Sequence, residues 1–157
     1  SMIEVGAVLP PLSLLGDDGE SHPLHAEKGG YLVVYFYPKD STPGCTRESQ
    51  AFTAFKAKFE AAGAKIVGIS RDSVKSHCNF KAKSELTILL LSDPEKLAHA
   101  AFGAWGEKTM YGKKVEGAIR STFVLDEAGK VLKAWPTVKV DGHAEAVLAA
   151  VEGLAKG

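Results

Sequence analysis

Cysteine is scarce in this sequence: the 157 residues include only two, Cys45 and Cys78. Two cysteines are too few for a disulfide scaffold. Their separation fits neither the Cys-x-x-Cys motif of a dithiol oxidoreductase nor the spacing of a four-ligand zinc site. We therefore expect no metal and no other cofactor. A cysteine pair of this kind favours reactive thiol chemistry over a permanent crosslink.

Long hydrophobic runs and an excess of one charge are absent as well. The apolar run "LTILLL" at 86–91 is far shorter than the ~20 residues that a membrane-spanning helix needs. The N-terminal "SMIEVGAVLPPL" lacks the basic start and the long apolar centre of a signal peptide. The 19 basic and 19 acidic residues balance, which argues against the basic surface of a nucleic-acid binder. We expect a cytoplasmic protein that binds neither membranes nor nucleic acids.

Hydrophobic periodicity predicts an α/β fold. No repeat or linker divides the chain, so we expect one domain over residues 2–157, leaving out Ser1 as a remnant of tag cleavage. The run "YLVVYFY" at 31–37 predicts a strand that is buried on both faces. Phe52, Phe55 and Phe59 recur at helical spacing and predict a helix over 45–61 that ends before Gly63.

The remaining elements alternate in the same way. The patterns predict strands at 64–70 and within 86–93, helices at 73–83, 94–103 and 143–155, and a strand hairpin within 121–135. Ser73 or Asp72 would be the N-cap residue of the helix at 73–83. We expect the first ~25 residues to form a small N-terminal hairpin. This order predicts a mixed central sheet flanked by helices.

Cys45 stands where the buried strand gives way to the first helix. Pro38 stops the strand, and residues 40–44, "DSTPG", have the composition of a turn. The thiol therefore lies in the first helical turn, where unpaired backbone N–H groups and the helix dipole favour a thiolate. The end of the strand also places the sulfur at the carboxyl edge of the sheet, where α/β folds keep their sites. Cys45 could instead be a small buried hydrophobe, but a core cysteine belongs within a strand or on the phenylalanine face of the helix.

The residues around Cys45 resemble a known family. Pro38, Thr42 and Cys45 match the P-x-x-x-[ST]-x-x-C signature of peroxiredoxins, and "YFYPKDSTPGCTRES" resembles the bacterioferritin-comigratory (Q-type) branch. The resemblance extends through "GISRDSVKSH", "LLSDPE", "FGAWGEKTMYGKKVEGAIRSTFVLDEAGKV" and "WPTVKVDGHAEAVL", so it covers nearly the whole chain. It implies a thioredoxin-like fold and the thiol-dependent reduction of hydrogen peroxide and organic hydroperoxides.

The resemblance assigns a role to each matching residue. Cys45 would attack the peroxide O–O bond and become a sulfenic acid. Thr42 would donate its hydroxyl to the thiolate or the peroxide, although it could also be a turn or cap residue. Pro38 would shield the sulfur. Arg120 would reach the cysteine and polarise the peroxide, and Glu48 would hold this arginine or simply favour the positive end of the helix.

Cys78 is the candidate for the resolving cysteine. Q-type members resolve the sulfenic acid with a cysteine five residues after the first, which is Gln50 here, or with one in the next helix, at about Lys81. Cys78 lies one turn before Lys81, so the resemblance implies an intramolecular Cys45–Cys78 disulfide that thioredoxin or a similar dithiol protein reduces. Two intact helices cannot easily bring these sulfurs together, so the pairing requires local unfolding.

Two alternatives stay open. Val74, Cys78 and Ala82 share one helix face, and burial of that face would make Cys78 inert and the protein a one-cysteine peroxidase. A thioredoxin-like binding or chaperone module without turnover belongs to a different class. Because Q-type members are often monomers, we expect a monomer.

Several aromatic and histidine residues admit only general expectations. Trp105 and Tyr111 either line a substrate or reductant surface or anchor a glycine-rich loop. His22 and His25 flank Pro23, which argues against a helix that presents both to a metal, so we expect surface histidines.

Overall fold

A computed structural model describes residues 1–157 as nine strands and four helices. The elements follow one another along the chain as β1 Ser13–Gly16, β2 Ser21–Pro23, β3 Tyr31–Phe36, α1 Pro43–Ala61, β4 Ala64–Ser70, α2 Val74–Ser84, β5 Leu89–Ser92, α3 Leu97–Phe102, β6 Trp105–Met110, β7 Lys113–Ala118, β8 Ser121–Leu125, β9 Val131–Trp135 and α4 His143–Lys156. None of the four helices could span a membrane.

Seven of the strands form one mixed sheet in the order β2-β1-β5-β4-β3-β8-β9. The three inner strands β3, β4 and β5 run parallel, and every other pair in the sheet is antiparallel. The predicted mixed sheet, the N-terminal hairpin of β1 and β2, and the hairpin of β8 and β9 are therefore confirmed.

Strand β3 lies inside the sheet and contributes to the core on both faces. Val33 and Tyr35 belong to one buried cluster, and Val34 and Phe36 belong to a second. Successive side chains of a strand point to opposite faces, which is why an uninterrupted apolar run was needed here. The first cluster also contains buried residues of α1 and α4, and the second contains buried residues of α3.

Helix α1 begins two positions earlier than predicted, at Pro43, with Thr42 as the N-cap residue. Proline is well suited to the first helical turn because its missing N–H has no partner there in any case. This start places Cys45 at the third helical position. The predicted start of α2 is confirmed, because Ser73 caps the helix and its Oγ accepts a hydrogen bond from the Ser76 backbone N–H at 3.1 Å.

Two other predictions need correction. The segment of Trp105 and Tyr111, for which a glycine-rich loop was one of two expectations, is the hairpin of β6 and β7. Tyr111 and Gly112 close it with φ of 51° and 76°. Positive φ at both central residues suits a tight hairpin turn. Helix α3 begins at Leu97 and not at Pro94, because the Asp93 carboxylate accepts the Leu97 backbone N–H at 2.8 Å and fixes the helix start there.

The close approach of β4 to the Tyr35 ring yields a first prediction. A Cβ on Gly68 would lie 2.6 Å from the Tyr35 Cζ, and this ring is fully buried and stacks on Phe52. We expect Gly68→Ala to lower the free energy of unfolding by about 1–3 kcal/mol, measured by urea denaturation. The control is Gly153→Ala in α4, where a Cβ meets nothing within 4 Å. The higher helix propensity of alanine should raise the free energy of unfolding there by about 0.5–1 kcal/mol. Equal effects of the two substitutions would contradict the packing argument.

Candidate active site

Cys45 is both a helix-start residue and a core residue. Its side chain is only 1% exposed and belongs to the same buried cluster as Tyr35 and Phe52. The expectation that these two situations exclude each other is therefore wrong. The first turn of α1 packs against the sheet, so a thiol at the positive end of the helix is also shielded from solvent.

Arg120 reaches Cys45 from the start of the strand next to β3. It directly precedes β8, whose first residue, Ser121, pairs with Phe36 at the end of β3. This antiparallel register brings the arginine to the edge of the sheet from which α1 departs. Its Nη2 donates to Cys45 Sγ at 3.3 Å.

Glu48 completes the contact from the first turns of α1. Its Oε1 accepts a hydrogen bond from Arg120 Nη1 at 2.6 Å, and the Glu48 side chain is 1% exposed. One guanidinium therefore joins the carboxylate and the sulfur. Of the two roles considered for Glu48, the geometry favours holding the arginine. The structure thus brings three of the predicted site residues together: Cys45, Glu48 and Arg120.

Thr42 and Pro38 occupy the turn before Cys45 without joining this contact. The Thr42 hydroxyl donates to the Lys39 carbonyl at 2.8 Å, so its single hydrogen is used within the turn. The Thr42 carbonyl accepts hydrogen bonds from both the backbone and the side chain of Thr46. Pro38 is exposed just beyond β3. Both residues have the turn role that was considered for them, and their roles toward peroxide stay predictions.

Cys78 is exposed on α2, and its thiol donates to the Asp17 carbonyl at 3.3 Å. The suggestion that its helix face is buried was wrong: the buried residues of α2 are His77 and Phe80. Lys81 reaches the same hairpin residue, with Nζ 2.9 Å from Asp17 Oδ2. Both cysteines are free thiols, and Cys78 contacts the N-terminal hairpin instead of Cys45.

Comparisons with known proteins identify the family. The sequence model of the AhpC/TSA family matches residues 5–134. Peroxiredoxin Bcp of Xanthomonas campestris is 55% identical over 146 residues, which cover 93% of this chain and 90% of that protein. The chain belongs to the peroxiredoxins. Peroxiredoxins are thiol-dependent peroxidases, so the predicted enzyme class is confirmed and a binding module without turnover is set aside.

Solved structures agree with the fold. One is the bacterioferritin comigratory protein of Xanthomonas campestris, studied for alkyl peroxide reduction in trapped intermediate and ligand complexes. It has a TM-score of 0.86 and 50% identity over 95% of this chain and 99% of that one. A cysteine-to-serine mutant of Xylella fastidiosa PrxQ has a TM-score of 0.90 and 38% identity, covering 99% of each chain. The predicted thioredoxin-like fold and the Q-type resemblance are confirmed.

Burial dominates the electrostatics of Glu48 in this peroxiredoxin. Removal from water raises the pKa of Glu48 from 4.5 to about 7, although the Arg120 charge opposes this shift. The second carboxylate oxygen, Oε2, is buried without a hydrogen-bond partner, which adds to the cost of the ionised form. Burial lowers the pKa of Arg120, but Glu48 and Cys45 outweigh it, so this pKa lies above its ordinary value.

His143 is a buried neighbour of the site that the sequence did not reveal. It begins α4, lies 2.7 Å from Thr122 Oγ1 through its Nε2, and meets the Phe52 and Trp135 rings edge-on. Burial, with a further contribution from the Arg120 charge, lowers the pKa of His143 to about 4. A neutral imidazole adds no second positive charge near Arg120.

The aromatic and histidine residues considered in the sequence do not form one surface. Trp105 lies edge-on to the buried His99 ring, with Lys96 Nζ 4.7 Å from its centroid. Tyr111 is 99% exposed at the tip of the β6–β7 hairpin. His22 contacts the Asp18 carboxylate, and His25 Nδ1 lies 2.8 Å from the Ala26 carbonyl, so the two histidines face different partners.

The pKa shifts of Glu48 and His143 predict opposing effects of pH on stability. The pKa of Glu48 is raised, so its stabilising contribution is complete below 4.5 and lost as pH rises through about 7. The pKa of His143 is lowered, so its contribution is complete above 6.5 and lost as pH falls through about 4.

Substitutions at these two positions should therefore separate the two contributions. We expect the unfolding free energy of Glu48→Gln to rise more steeply between about pH 4.5 and 6.5 than that of the unmodified protein. His143→Gln should show the opposite change of slope. Urea denaturation at a series of pH values provides the measurement. Identical slopes for the unmodified protein and both variants would contradict the shifts.

Proposed function

We propose that this peroxiredoxin reduces hydrogen peroxide and organic hydroperoxides with Cys45 as the attacking thiolate and Arg120 as the fixed cation beside it. The observation that carries the proposal is the single guanidinium that contacts both Cys45 Sγ and Glu48 Oε1 in a buried site. A guanidinium keeps its charge and offers several donors in a planar fork. It can therefore contact the sulfur and a bound peroxide oxygen without losing its carboxylate partner.

In the first step the Cys45 thiolate attacks one peroxide oxygen. An S–O bond forms as the O–O bond breaks, so the sulfur is oxidised to a sulfenic acid and the peroxide is reduced. The departing oxygen takes a proton and leaves as water or an alcohol. Arg120 stabilises the negative charge that develops on the oxygens, and positioned donors of this kind give large rate effects in a site shielded from water. In this proposal Thr42 and Pro38 shape the turn that presents the sulfur.

In the second step Cys78 attacks the oxidised sulfur, releases water and forms a Cys45–Cys78 disulfide. One observation supports Cys78 in this role: its thiol is exposed, so it is accessible to an oxidised partner. Because Cys45 is buried in α1, the step requires local unwinding of one or both helices. A dithiol protein such as thioredoxin then reduces the disulfide.

A one-cysteine peroxidase is the second candidate. The contact of Cys78 with the N-terminal hairpin favours it, because this thiol has a partner away from Cys45. In that case an external thiol would resolve the sulfenic acid, and Cys78 would only pack against the hairpin.

We further infer that residues 2–157 act as one domain, as a monomer in the cytoplasm. Two free cysteines without a disulfide scaffold suit a reducing compartment. The balanced formal charge gives no basis for binding nucleic acid or acidic membranes.

Cysteine variants test the proposal. We expect Cys45→Ser to abolish peroxide consumption, because no other thiol contacts Arg120. Cys78→Ser should still consume about one equivalent of peroxide but lose turnover coupled to thioredoxin. The measurements are peroxide consumption with thioredoxin, thioredoxin reductase and NADPH, and mass spectrometry of the oxidised protein for a 45–78 linked peptide. Unchanged turnover of Cys78→Ser would establish the one-cysteine alternative, and an active Cys45→Ser would contradict the proposal as a whole.

A further inference from the structure

Asp40 is a buried carboxylate in the turn between β3 and α1, and both of its oxygens are hydrogen-bonded. The Tyr37 hydroxyl, directly after β3, donates to Oδ1 at 2.6 Å. Two groups from the first turn of α2 reach Oδ2: the Ser76 hydroxyl at 2.8 Å and His77 Nδ1 at 2.7 Å. The proposed peroxidase chemistry uses none of these residues.

The imidazole of His77 is fully buried and makes two short polar contacts, and the Tyr37 hydroxyl lies farther off, 3.5 Å from its Nδ1. Its Nδ1 faces Asp40 Oδ2, and its Nε2 lies 2.8 Å from the Leu91 carbonyl on β5. A carbonyl can only accept, so Nε2 carries a hydrogen, and a second hydrogen lies between Nδ1 and the carboxyl oxygen. The contact is therefore a hydrogen bond between two buried side chains, a kind of interaction that is costly to break on one side only.

This contact joins the two segments that carry the cysteines. Asp40 belongs to the same turn as the N-cap residue of α1, just ahead of Cys45, and His77 directly precedes Cys78 on α2. The Asp40 backbone N–H also donates to Asp72 Oδ2 at 2.9 Å, in the loop that leads into α2. Moving either segment alone would leave a buried carboxylate or a buried imidazole without its partner.

We propose that Asp40, acting through His77, is a positioning residue that holds both cysteine-bearing segments closed and makes them open as one unit. The contact keeps the first turn of α1 wound while Cys45 meets peroxide, and its rupture frees Cys45 and Cys78 together for disulfide formation. The link to catalysis rests on the proposed function, because it assumes that Cys78 resolves Cys45. The joint opening of the segments does not rest on that assumption.

The chain contains a matched control for this pair. His99 Nδ1 lies 2.7 Å from Asp93 Oδ2, the same distance as in the Asp40 pair, and both of these side chains are buried as well. This second pair joins the end of β5 to α3, and neither segment carries a cysteine. Breaking the Asp93–His99 contact should weaken the fold without opening the two segments that carry the cysteines.

The test compares Asp40→Asn with Asp93→Asn in the full, reduced chain. Hydrogen exchange followed by mass spectrometry reports the opening of residues 37–48 and 73–84. Rapid quenching after one equivalent of hydrogen peroxide reports the rate of Cys45–Cys78 disulfide formation. For Asp40→Asn we expect exchange to rise about tenfold in both segments together, with faster disulfide formation and slower peroxide consumption. Asp93→Asn should change neither segment.

Each outcome decides one part of the proposal. A rise in only one segment, or equal rises in both variants, would overturn the joint opening. Joint opening without faster disulfide formation would overturn the control of resolution. Absence of a 45–78 disulfide in the unmodified protein would refute the resolving role of Cys78, while the exchange data would still decide the joint opening.

A milder variant keeps the test decisive if Asp40→Asn does not fold. Ser76→Ala removes one donor to Asp40 Oδ2 and leaves the His77 contact in place. We expect a rise in exchange of about twofold to threefold that is shared by both segments. No rise in either segment would overturn the proposal.

Discussion

The bridge that the Arg120 guanidinium makes between Glu48 and Cys45 is the interaction on which the site depends. The guanidinium bonds Glu48 with one nitrogen and Cys45 with another, and both of these partners are almost fully removed from solvent. Burial makes each charge costly on its own, so removing one partner leaves the other without compensation. The Glu48 carboxylate therefore holds the arginine in place through Nη1, and the other terminal nitrogen, Nη2, points at the sulfur.

The sheet accounts for this meeting of distant residues. Strand β3 ends where the turn to α1 begins, and the antiparallel partner β8 starts at the same edge, immediately after Arg120. The first part of α1 supplies Cys45 and Glu48, and the residue just before β8 supplies the cation. A second buried contact, between Asp40 and His77, secures the same turn against α2. The Arg120 contact affects the reaction of the sulfur with peroxide. The Asp40–His77 contact affects the opening of the helices that carry the two cysteines.

Local patterns were enough to predict most elements and the position of Cys45. The strand at Ala64–Ser70 and the start of α2 match the structure, because apolar runs and a serine cap are short-range signals. The β6–β7 hairpin was missed because its strands show no alternation of apolar and polar residues. The buried face of α2 was misassigned because His77, a polar residue, lies on that face, so hydrophobic spacing pointed to its neighbours.

Arg120 was found only through the family resemblance, since its meeting with Cys45 depends on a long-range strand register. Nothing in the local sequence marked Asp40 or His143 as buried, because their burial depends on partners from distant elements.

A double-mutant cycle on Glu48→Gln and Arg120→Met tests most directly whether Glu48 acts on Cys45 through Arg120. The quantity measured is the rate of Cys45 oxidation by hydrogen peroxide, with Arg47→Met as a control, because Arg47 lies on α1 in an exposed pair with Asp141. We expect losses of about tenfold for Glu48→Gln and at least about a hundredfold for Arg120→Met, with no further loss in the double variant. Losses that multiply in the double variant would show that Glu48 acts independently of Arg120 and would contradict this description of the site.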